Sequence, residues 1–321
     1  MKISRWFAAL AVIAAIGVAA GALYSPDPVP AEPLPARSAV VESDAQRDRR
    51  IAADRYRQIV TGGESDLLSV ALALEAIYRN QSIDEQAARA DFNEIVDGLR
   101  EYLGPECPEF YAARKIRLYF FKTLGFRPVQ VGRYARVDDL LPTTVLRNRR
   151  GYCLGLTYLI VAVGRELNLP LHAAHLPNHT IIRFEGKELR VNFEPLDSGS
   201  AWTDDCYDDQ IAGRSPEELA SARFLMALSD KELIALFLTN LGLHQISDGL
   251  PVVALAAADV GLELFPPLVD GHCLKGLAFR TLGDMTAARD SFNAALAIDP
   301  RYQPALRSEE RRVGKECRSR W

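Results

Sequence analysis

The sequence predicts an α+β protein: a helical N-terminal region, then a central helix packed on a small antiparallel sheet, then α-helical repeats. Residues 44–125 have helical patterns. Residues 153–167 (CLGLTYLIVAVGREL) are apolar on nearly every side, which is typical of a helix buried among other elements. Two short strands follow within residues 180–193, and residues 215–306 are helical again.

The composition indicates a folded chain with an acidic balance. Apolar residues make up 48% of the 321 residues and charged residues 25%, so a sizeable core is available. The formal net charge is −4. Because a nucleic-acid-binding surface needs a basic excess, no nucleic-acid partner is expected.

The N-terminus has the layout of an export signal. Lys2 and Arg5 precede an uncharged apolar run from Trp6 to Leu23. We interpret residues 1–24 as a signal peptide or a membrane anchor, and residues 25–43 as a proline-rich linker. The rest of the chain is then exported and periplasmic. It is attached to the inner membrane only if the segment is not removed.

The remaining chain divides into three predicted parts. Residues 44–214 form the core domain with its helical N-terminal part, and residues 215–306 form tetratricopeptide-like repeats that could hold a protein partner. Residues 307–321 (RSEERRVGKECRSRW) resemble a translated sequencing adapter, so we expect a non-native tail. The residues at repeat spacing are Gly276, Phe279, Ala288, Phe292, Ala295 and Pro300, preceded about 34 residues earlier by Gly242, Ala254 and Pro266.

A two-residue turn at Gly186-Lys187 would join the two strands and fix their register. This register gathers the apolar side chains on one face, although it also opposes two arginines. The opposed pairs are Ile182 with Val191, Phe184 with Leu189, and Arg183 with Arg190.

The same register places His179 opposite Glu194, on one face of the hairpin. A carboxylate beside an imidazole orients the ring and favours its charged form. Cys153 begins the buried helix, where the helix N-terminus stabilises a thiolate. Together these are the parts of a Cys-His-acid triad. A plain core cysteine and a surface His–Glu pair remain the alternative interpretation.

Four stretches of the chain resemble the SirB1-type transglutaminase-like family, which has a papain-like fold. They are KTLGF (122–126), LLPTTVLRNRRGYCLGLTYLIVAVGRELNLPL (140–171), LPNHTIIRF (176–184) and NFEPLDSG (192–199). The resemblance puts Cys153 at the nucleophile, His179 at the base and Glu194 at the acid, where the family usually has Asp. Many members lack this thiol, and Asp197 is near enough in sequence to compete with Glu194.

This resemblance implies thiol-dependent acyl transfer or hydrolysis on peptide or amide substrates in the cell envelope. The enzyme would be a peptidase, amidase or transglutaminase. The alternative is a catalytically inactive transglutaminase-like scaffold that binds proteins through its repeats. The resemblance implies no organic cofactor.

No metal site is expected. His172 and His175, which we interpret as facing the same way on one strand, have no third ligand nearby in sequence. The acidic run at residues 204–209 lacks the spacing of a calcium loop, so a solvated loop is expected there. Cys107 and Cys206 are the likelier disulfide pair in an oxidising compartment.

The export prediction can be tested directly. Residues 1–40 fused to a reporter that is active only outside the cytoplasm should give reporter activity, because the apolar run would direct translocation. A matched fusion in which the run carries two arginines should be inactive. Activity of a reporter that works only inside the cytoplasm would contradict export.

Overall fold

The computed structural model describes residues 43–62, 66–129 and 136–307, which are mostly helical around one small antiparallel sheet. The predicted α+β class is therefore confirmed. The predicted segments 1–24, 25–43 and 307–321 lie outside the described residues, except for their end residues 43 and 307. Within the described ranges no helix is both long enough and apolar enough to cross a membrane.

The N-terminal helices begin at side-chain caps. Ser43 and Gln46 form a capping box at the start of the first helix. Asp66 accepts from the Ser69 amide, and Asp84 accepts from the Ala87 amide. The α-helices that precede the central helix are α1 (Asp44–Thr61), α2 (Leu67–Arg79), α3 (Glu85–Leu103), α4 (Glu109–Leu118) and α5 (Pro142–Asn148).

The central helix, α6, spans Cys153–Glu166 and is the buried helix that the apolar run predicts. Every side chain from Cys153 to Gly164 is buried. The helix ends before Asn168, which has a left-handed backbone with φ of 52°. It contacts the sheet on one side and helices α2, α3 and α5 on the other, so almost no side of it faces water.

Four antiparallel strands form the sheet in sequential order. They are β3 (Leu171–Leu176), β4 (His179–Glu185), β5 (Arg190–Glu194) and β6 (Ser200–Trp202). A separate parallel pair joins β1 (Arg127–Pro128) to β2 (Arg150–Gly151), directly before α6.

The strand register differs by two residues from the one the sequence predicts. Phe184 lies opposite Val191 rather than Leu189, and Ile182 lies opposite Phe193. The central residues of the turn are Lys187 and Glu188, because the Gly186 amide donates to the Leu189 carbonyl at 2.9 Å. A tertiary contact selects this turn. The Glu109 carboxylate accepts from the amides of Lys187 and Glu188 at 2.9 and 3.1 Å.

The observed register also removes the unfavourable arginine pair. Arg183 lies opposite Asn192, and the Arg183 Nε donates a hydrogen bond to the Asn192 side-chain oxygen at 3.0 Å. Arg190 lies opposite Glu185 and forms an ion pair with it. Opposite charges across a strand pair are favourable, whereas two arginines repel each other. A shift of two residues leaves the apolar side chains on the same face.

Two helical hairpins form the C-terminal region. Gly242 and Gly276 lie where a neighbouring helix packs closely, since an added Cβ would meet Leu274 at 2.4 Å and Phe292 at 2.7 Å. Their assignment to the tetratricopeptide class stays a prediction. The helices after the sheet are α7 (Asp208–Ile211), α8 (Pro216–Ser221), α9 (Asp230–Ser247), α10 (Pro251–Leu264), α11 (Val269–Leu282) and α12 (Met285–Ile298).

One apolar core runs across the predicted boundary at residue 214. It joins side chains of α1, such as Tyr56, to those of α9 and α10, such as Phe237 and Val260. Ion pairs from α1 to α10 add to this contact, for example Arg49 with Asp259 at 2.5 Å. The division of residues 44–306 into two domains stays a prediction.

Gly155 should not tolerate a side chain. A Cβ at Gly155 would lie 2.6 Å from the Asp139 carbonyl oxygen, which belongs to the backbone and cannot move away cheaply. We therefore expect Gly155→Ala to lower the free energy of unfolding by about 1–3 kcal/mol, measured by urea denaturation.

The matched control is Gly261→Ala, in the interior of α10. Its added Cβ would lie 3.3 Å from the nearest atom, a Thr239 side-chain oxygen, and alanine favours helix by about 1 kcal/mol. Its unfolding free energy should stay within about 1 kcal/mol of the wild type. Equal losses in the two variants would show that the close approach at Gly155 is unimportant.

Candidate active site

Cys153 is placed by a close backbone approach at the start of α6. The Tyr152 amide donates to the Asp139 carbonyl oxygen at 3.1 Å. Added Cβ atoms at Gly151 and Gly155 would lie 2.8 and 2.6 Å from that same oxygen. The two glycines therefore let the backbone around Asp139 lie against the helix start, which fixes the first turn of the helix and with it the position of Cys153.

Cys153 lies at the uncapped N-terminal end of α6. Tyr152, the residue before the helix, is extended and provides no side-chain cap. The first amides of a helix have no intrahelical acceptor, so their N–H groups and the helix dipole face the Cys153 region. A thiolate is stabilised at such a position.

His179 is the first residue of β4 and pairs with Leu176 across a two-residue turn. Its Nε2 lies 2.8 Å from Oε2 of Glu194. The Cys153 sulfur is a neighbour of the ring, since its interaction with the imidazole also raises the pKa of His179. Because Nε2 is bonded to Glu194, Nδ1 is the nitrogen left to face the sulfur. The imidazole therefore lies between Cys153 and Glu194.

Glu194 is the last residue of β5 and is 1% exposed. Its backbone is extended, as expected for a residue before Pro195. Oε1 accepts from the Leu196 amide at 2.9 Å, and Oε2 accepts from the Tyr207 hydroxyl at 3.2 Å as well as meeting His179. Asp197 is exposed, so the carboxylate at the imidazole is that of Glu194.

The charges around His179 hold its ring protonated at neutral pH. Burial alone disfavours the imidazolium, but the Glu194 carboxylate and the Cys153 sulfur outweigh it and raise the pKa of His179 to about 10. Burial and the adjacent Glu194 raise the pKa of Tyr207, so its hydroxyl stays a donor. The resting arrangement is an imidazolium between a buried carboxylate and a sulfur.

Tyr207 is the site residue that the sequence did not reveal. It lies within the acidic run considered for calcium, and no local pattern connects it to Glu194. That run is used otherwise in the structure. Asp204 accepts from Asn192 at 2.8 Å and also bonds Arg183, so it anchors the sheet.

His172 and His175 do not face the same way, so that expectation was wrong. They are three residues apart on β3, and an odd separation puts side chains on opposite faces of a strand. The His175 ring is buried and bonds the Ala222 carbonyl oxygen at 2.9 Å, whereas His172 is half-buried beside Arg165. Within the described residues, no three His, Cys, Asp or Glu side chains are grouped to hold a metal ion.

The expected pairing of Cys107 with Cys206 was also wrong. Both are free thiols, as are Cys153 and Cys273. Cys206 is exposed, and its sulfur contacts the Thr203 hydroxyl at 3.6 Å.

Two sequence comparisons and one structural comparison relate the chain to known proteins. Residues 86–239 match the model of the transglutaminase-like superfamily. The UPF0162 protein PA3419 of Pseudomonas aeruginosa is 27% identical over 169 residues, which are 52% of this chain and 62% of that protein. The chain therefore spans less than two thirds of the length of this relative.

The solved structure of menin, described as revealing the binding site for the Mixed Lineage Leukemia protein, superposes with a TM-score of 0.41 at 13% identity. It covers 78% of this chain and 70% of menin, and at this TM-score the likeness supports no conclusion about this chain. The transglutaminase-like part of the sequence resemblance is confirmed, while the SirB1-type assignment with tetratricopeptide repeats stays a prediction. Residues 86–239, which contain Cys153, His179 and Glu194, form a transglutaminase-like superfamily domain.

Proposed function

We propose that the protein catalyses thiol-dependent acyl transfer or hydrolysis on peptide or amide substrates. The observation that carries the proposal is the placement of the imidazole between the two other side chains. His179 Nε2 lies 2.8 Å from the buried Glu194 carboxylate, and the ring also interacts with the neighbouring Cys153 sulfur. Cys153 would be the nucleophile, His179 the acid and base, and Glu194 the group that orients the ring.

In the first half-reaction the Cys153 thiolate attacks the amide carbonyl carbon, and the carbonyl electron pair moves onto oxygen. The Cys153 amide would be the donor to that oxyanion, because the first amides of a helix have no intrahelical acceptor. When the C–N bond breaks, the leaving amine takes the proton of the His179 imidazolium. A thioester and a neutral imidazole remain.

In the second half-reaction water or an acceptor amine attacks the thioester. Neutral His179 takes the proton of the attacking group, and the C–S bond breaks to restore the thiolate. Throughout, Glu194 keeps the ring in one orientation, because its own oxygens are fixed by the Leu196 amide and the Tyr207 hydroxyl. No step needs an organic cofactor.

The proposal includes a location and a partner class. The apolar N-terminal run would direct the chain out of the cytoplasm, so the substrate would be a protein or peptide of the periplasm or the cell envelope. The two C-terminal helical hairpins would hold a protein partner. If the N-terminal segment is not removed, it would tether the enzyme to the inner membrane.

A non-catalytic scaffold is the second candidate, and one observation favours it. Cys153 is 8% exposed and the His179 side chain is also 8% exposed, so a substrate would have to open the site to reach the sulfur. In a scaffold the same three residues would only tie the helix start to the sheet, and the hairpins would carry the binding.

The first prediction for the proposed site concerns the charge of His179. Because its pKa is raised to about 10, the ring should stay protonated from pH 6 to pH 8, and its NMR signals should titrate only above that range. Glu194→Gln removes the carboxylate and should move the titration downward. His272, whose pKa burial lowers, is the internal reference. A His179 titration midpoint at or below 6.5 would refute the ion-pair arrangement.

The second prediction concerns the reactivity of Cys153. Ordinary exposed thiols alkylate slowly at pH 6, because only a small fraction is thiolate. Cys153 should react with iodoacetamide at pH 6 about tenfold faster than exposed Cys206, read by peptide mass spectrometry. His179→Ala should remove this advantage, and Cys153→Ser should abolish turnover on a peptide and amine panel. If Cys153 is alkylated only after denaturation, the enzyme proposal is wrong and the protein is a non-catalytic scaffold.

A further inference from the structure

The turn that presents His179 touches the C-terminal end of the described chain. The Tyr302 hydroxyl lies 3.4 Å from Oδ1 of Asn178. Asn178 immediately precedes His179 and occupies the tip of the hairpin between β3 and β4. A residue far along the chain therefore contacts the side chain of the residue that precedes the candidate base.

The turn at this hairpin tip is of a type that does not favour close pairing of the strands it joins. Pro177 fixes φ near −65°, so the turn cannot be either of the two types whose twist matches paired strands, since both need positive φ at the first central residue. Asn178 has φ of 57°, which suits a type II turn. Such turns splay the strands they join, so an outside contact is needed to fix the first residue of β4.

Tyr302 is well placed to provide that contact, because both its ring and its backbone are held. The ring is buried in an apolar cluster with Cys273 and Phe292. Its amide donates to the Asp299 carbonyl oxygen at 3.0 Å. The Asp299 carboxylate is itself buried against Arg214 in a two-bond ion pair at 2.7 and 2.9 Å. The position of the Tyr302 side chain is therefore fixed by the structure around it.

The hydrogen bonds of the Tyr302 hydroxyl leave it able to accept from Asn178. A phenol has one proton, and the short bond to the Asp270 carboxylate takes it. Burial raises the pKa of Asp270 to about 6, which leaves this carboxylate charged at neutral pH. With its amide group turned by 180°, Asn178 then donates from its nitrogen to the Tyr302 oxygen.

We propose that the C-terminal helical region holds the candidate base in place, with Tyr302 and Asn178 as positioning residues and Asp270 as the anchor of Tyr302. This inference rests on the proposed function, because it concerns the same site. It adds Tyr302 and Asp270, which lie outside the matched segment 86–239, to the residues that hold the candidate site in place. The hairpin of α11 and α12 is then part of the site's support in addition to any partner binding.

The test uses the full chain and two single substitutions. Tyr302→Phe removes only the hydroxyl, and Asn178→Gly removes the amide while keeping a residue that tolerates positive φ. Each should lower the rate of Cys153 alkylation at pH 7, where Asp270 is charged, by about tenfold, since a small displacement of a reacting group has a large kinetic effect. Each should also move the NMR titration of His179 downward. Because both remove the same contact, the double variant should be no slower than the slower single variant.

The matched control is Tyr56→Phe. It also removes a buried tyrosine hydroxyl that bridges two helices, since Tyr56 accepts from Gln245 at 2.7 Å between α1 and α9. Alkylation and the His179 titration should be unchanged in it. Melting curves establish whether each variant is folded. If Tyr302→Phe does not fold, the measurements on Asn178→Gly decide the question.

The outcomes separate this inference from the proposed function. The positioning role is wrong if both Tyr302→Phe and Asn178→Gly keep the wild-type rate of Cys153 alkylation and the wild-type His179 titration. It is also wrong if the losses of alkylation rate in the two single variants add fully in the double variant. If the wild-type thiol is unreactive, the enzyme proposal fails. The titration of His179 still decides the positioning role in that case, because it needs no activity.

Discussion

The candidate site depends on the burial of one carboxylate. A buried charge must be paired and hydrogen-bonded, because taking it out of water costs several kcal/mol. Glu194 meets this requirement with one backbone amide, one phenol and one imidazolium, contributed by Leu196, Tyr207 and His179. These donors come from the turn after β5, the segment after β6 and the start of β4. Satisfying one side chain therefore fixes three parts of the chain relative to one another.

The nucleophile is held by a different kind of interaction. Cys153 is placed by backbone packing, in which the carbonyl of Asp139 fits against Gly151 and Gly155. The buried Glu75 side chain supports the same region, because it accepts from the Thr143 amide at 3.0 Å and pairs with Arg79 at 2.8 Å. Steric packing thus fixes the position of the Cys153 sulfur, and electrostatic interactions fix the position of the His179 imidazole. The two supports meet at the ring of His179, so a small shift of either one would separate the Cys153 sulfur from the imidazole nitrogen.

The sequence predicted the elements of the site better than the route by which they meet. The apolar run after Cys153 could belong only to a buried helix, and that helix is present. The contact of His179 with Glu194 was expected from a register that is wrong by two residues. It is present because a two-residue shift keeps side chains on the same face, and both side chains are long enough to meet diagonally.

The wrong register has a cause that local sequence could not show. The glycine at position 186 suggested a turn centred on itself, but the Glu109 carboxylate binds the amides of the next two residues and moves the turn. Tyr207 was missed for a similar reason, because β6 and the helical turn after it bring it back to Glu194. Contacts between segments distant in sequence decided both positions, whereas periodicity reports only on neighbours.

The C-terminal region has a structural role at the sheet that does not depend on any partner. The outer edge of β3 would expose unpaired carbonyls, which is a liability in any sheet. The amides of Leu225 and Leu228 cover it, donating to His175 and Ala173 at 3.0 and 2.8 Å. The chain that follows these residues packs its helices into the core shared with α1. Because the same region closes the sheet edge and completes that core, a cut at residue 214 would leave the sheet, and the imidazole it carries, without support on one side.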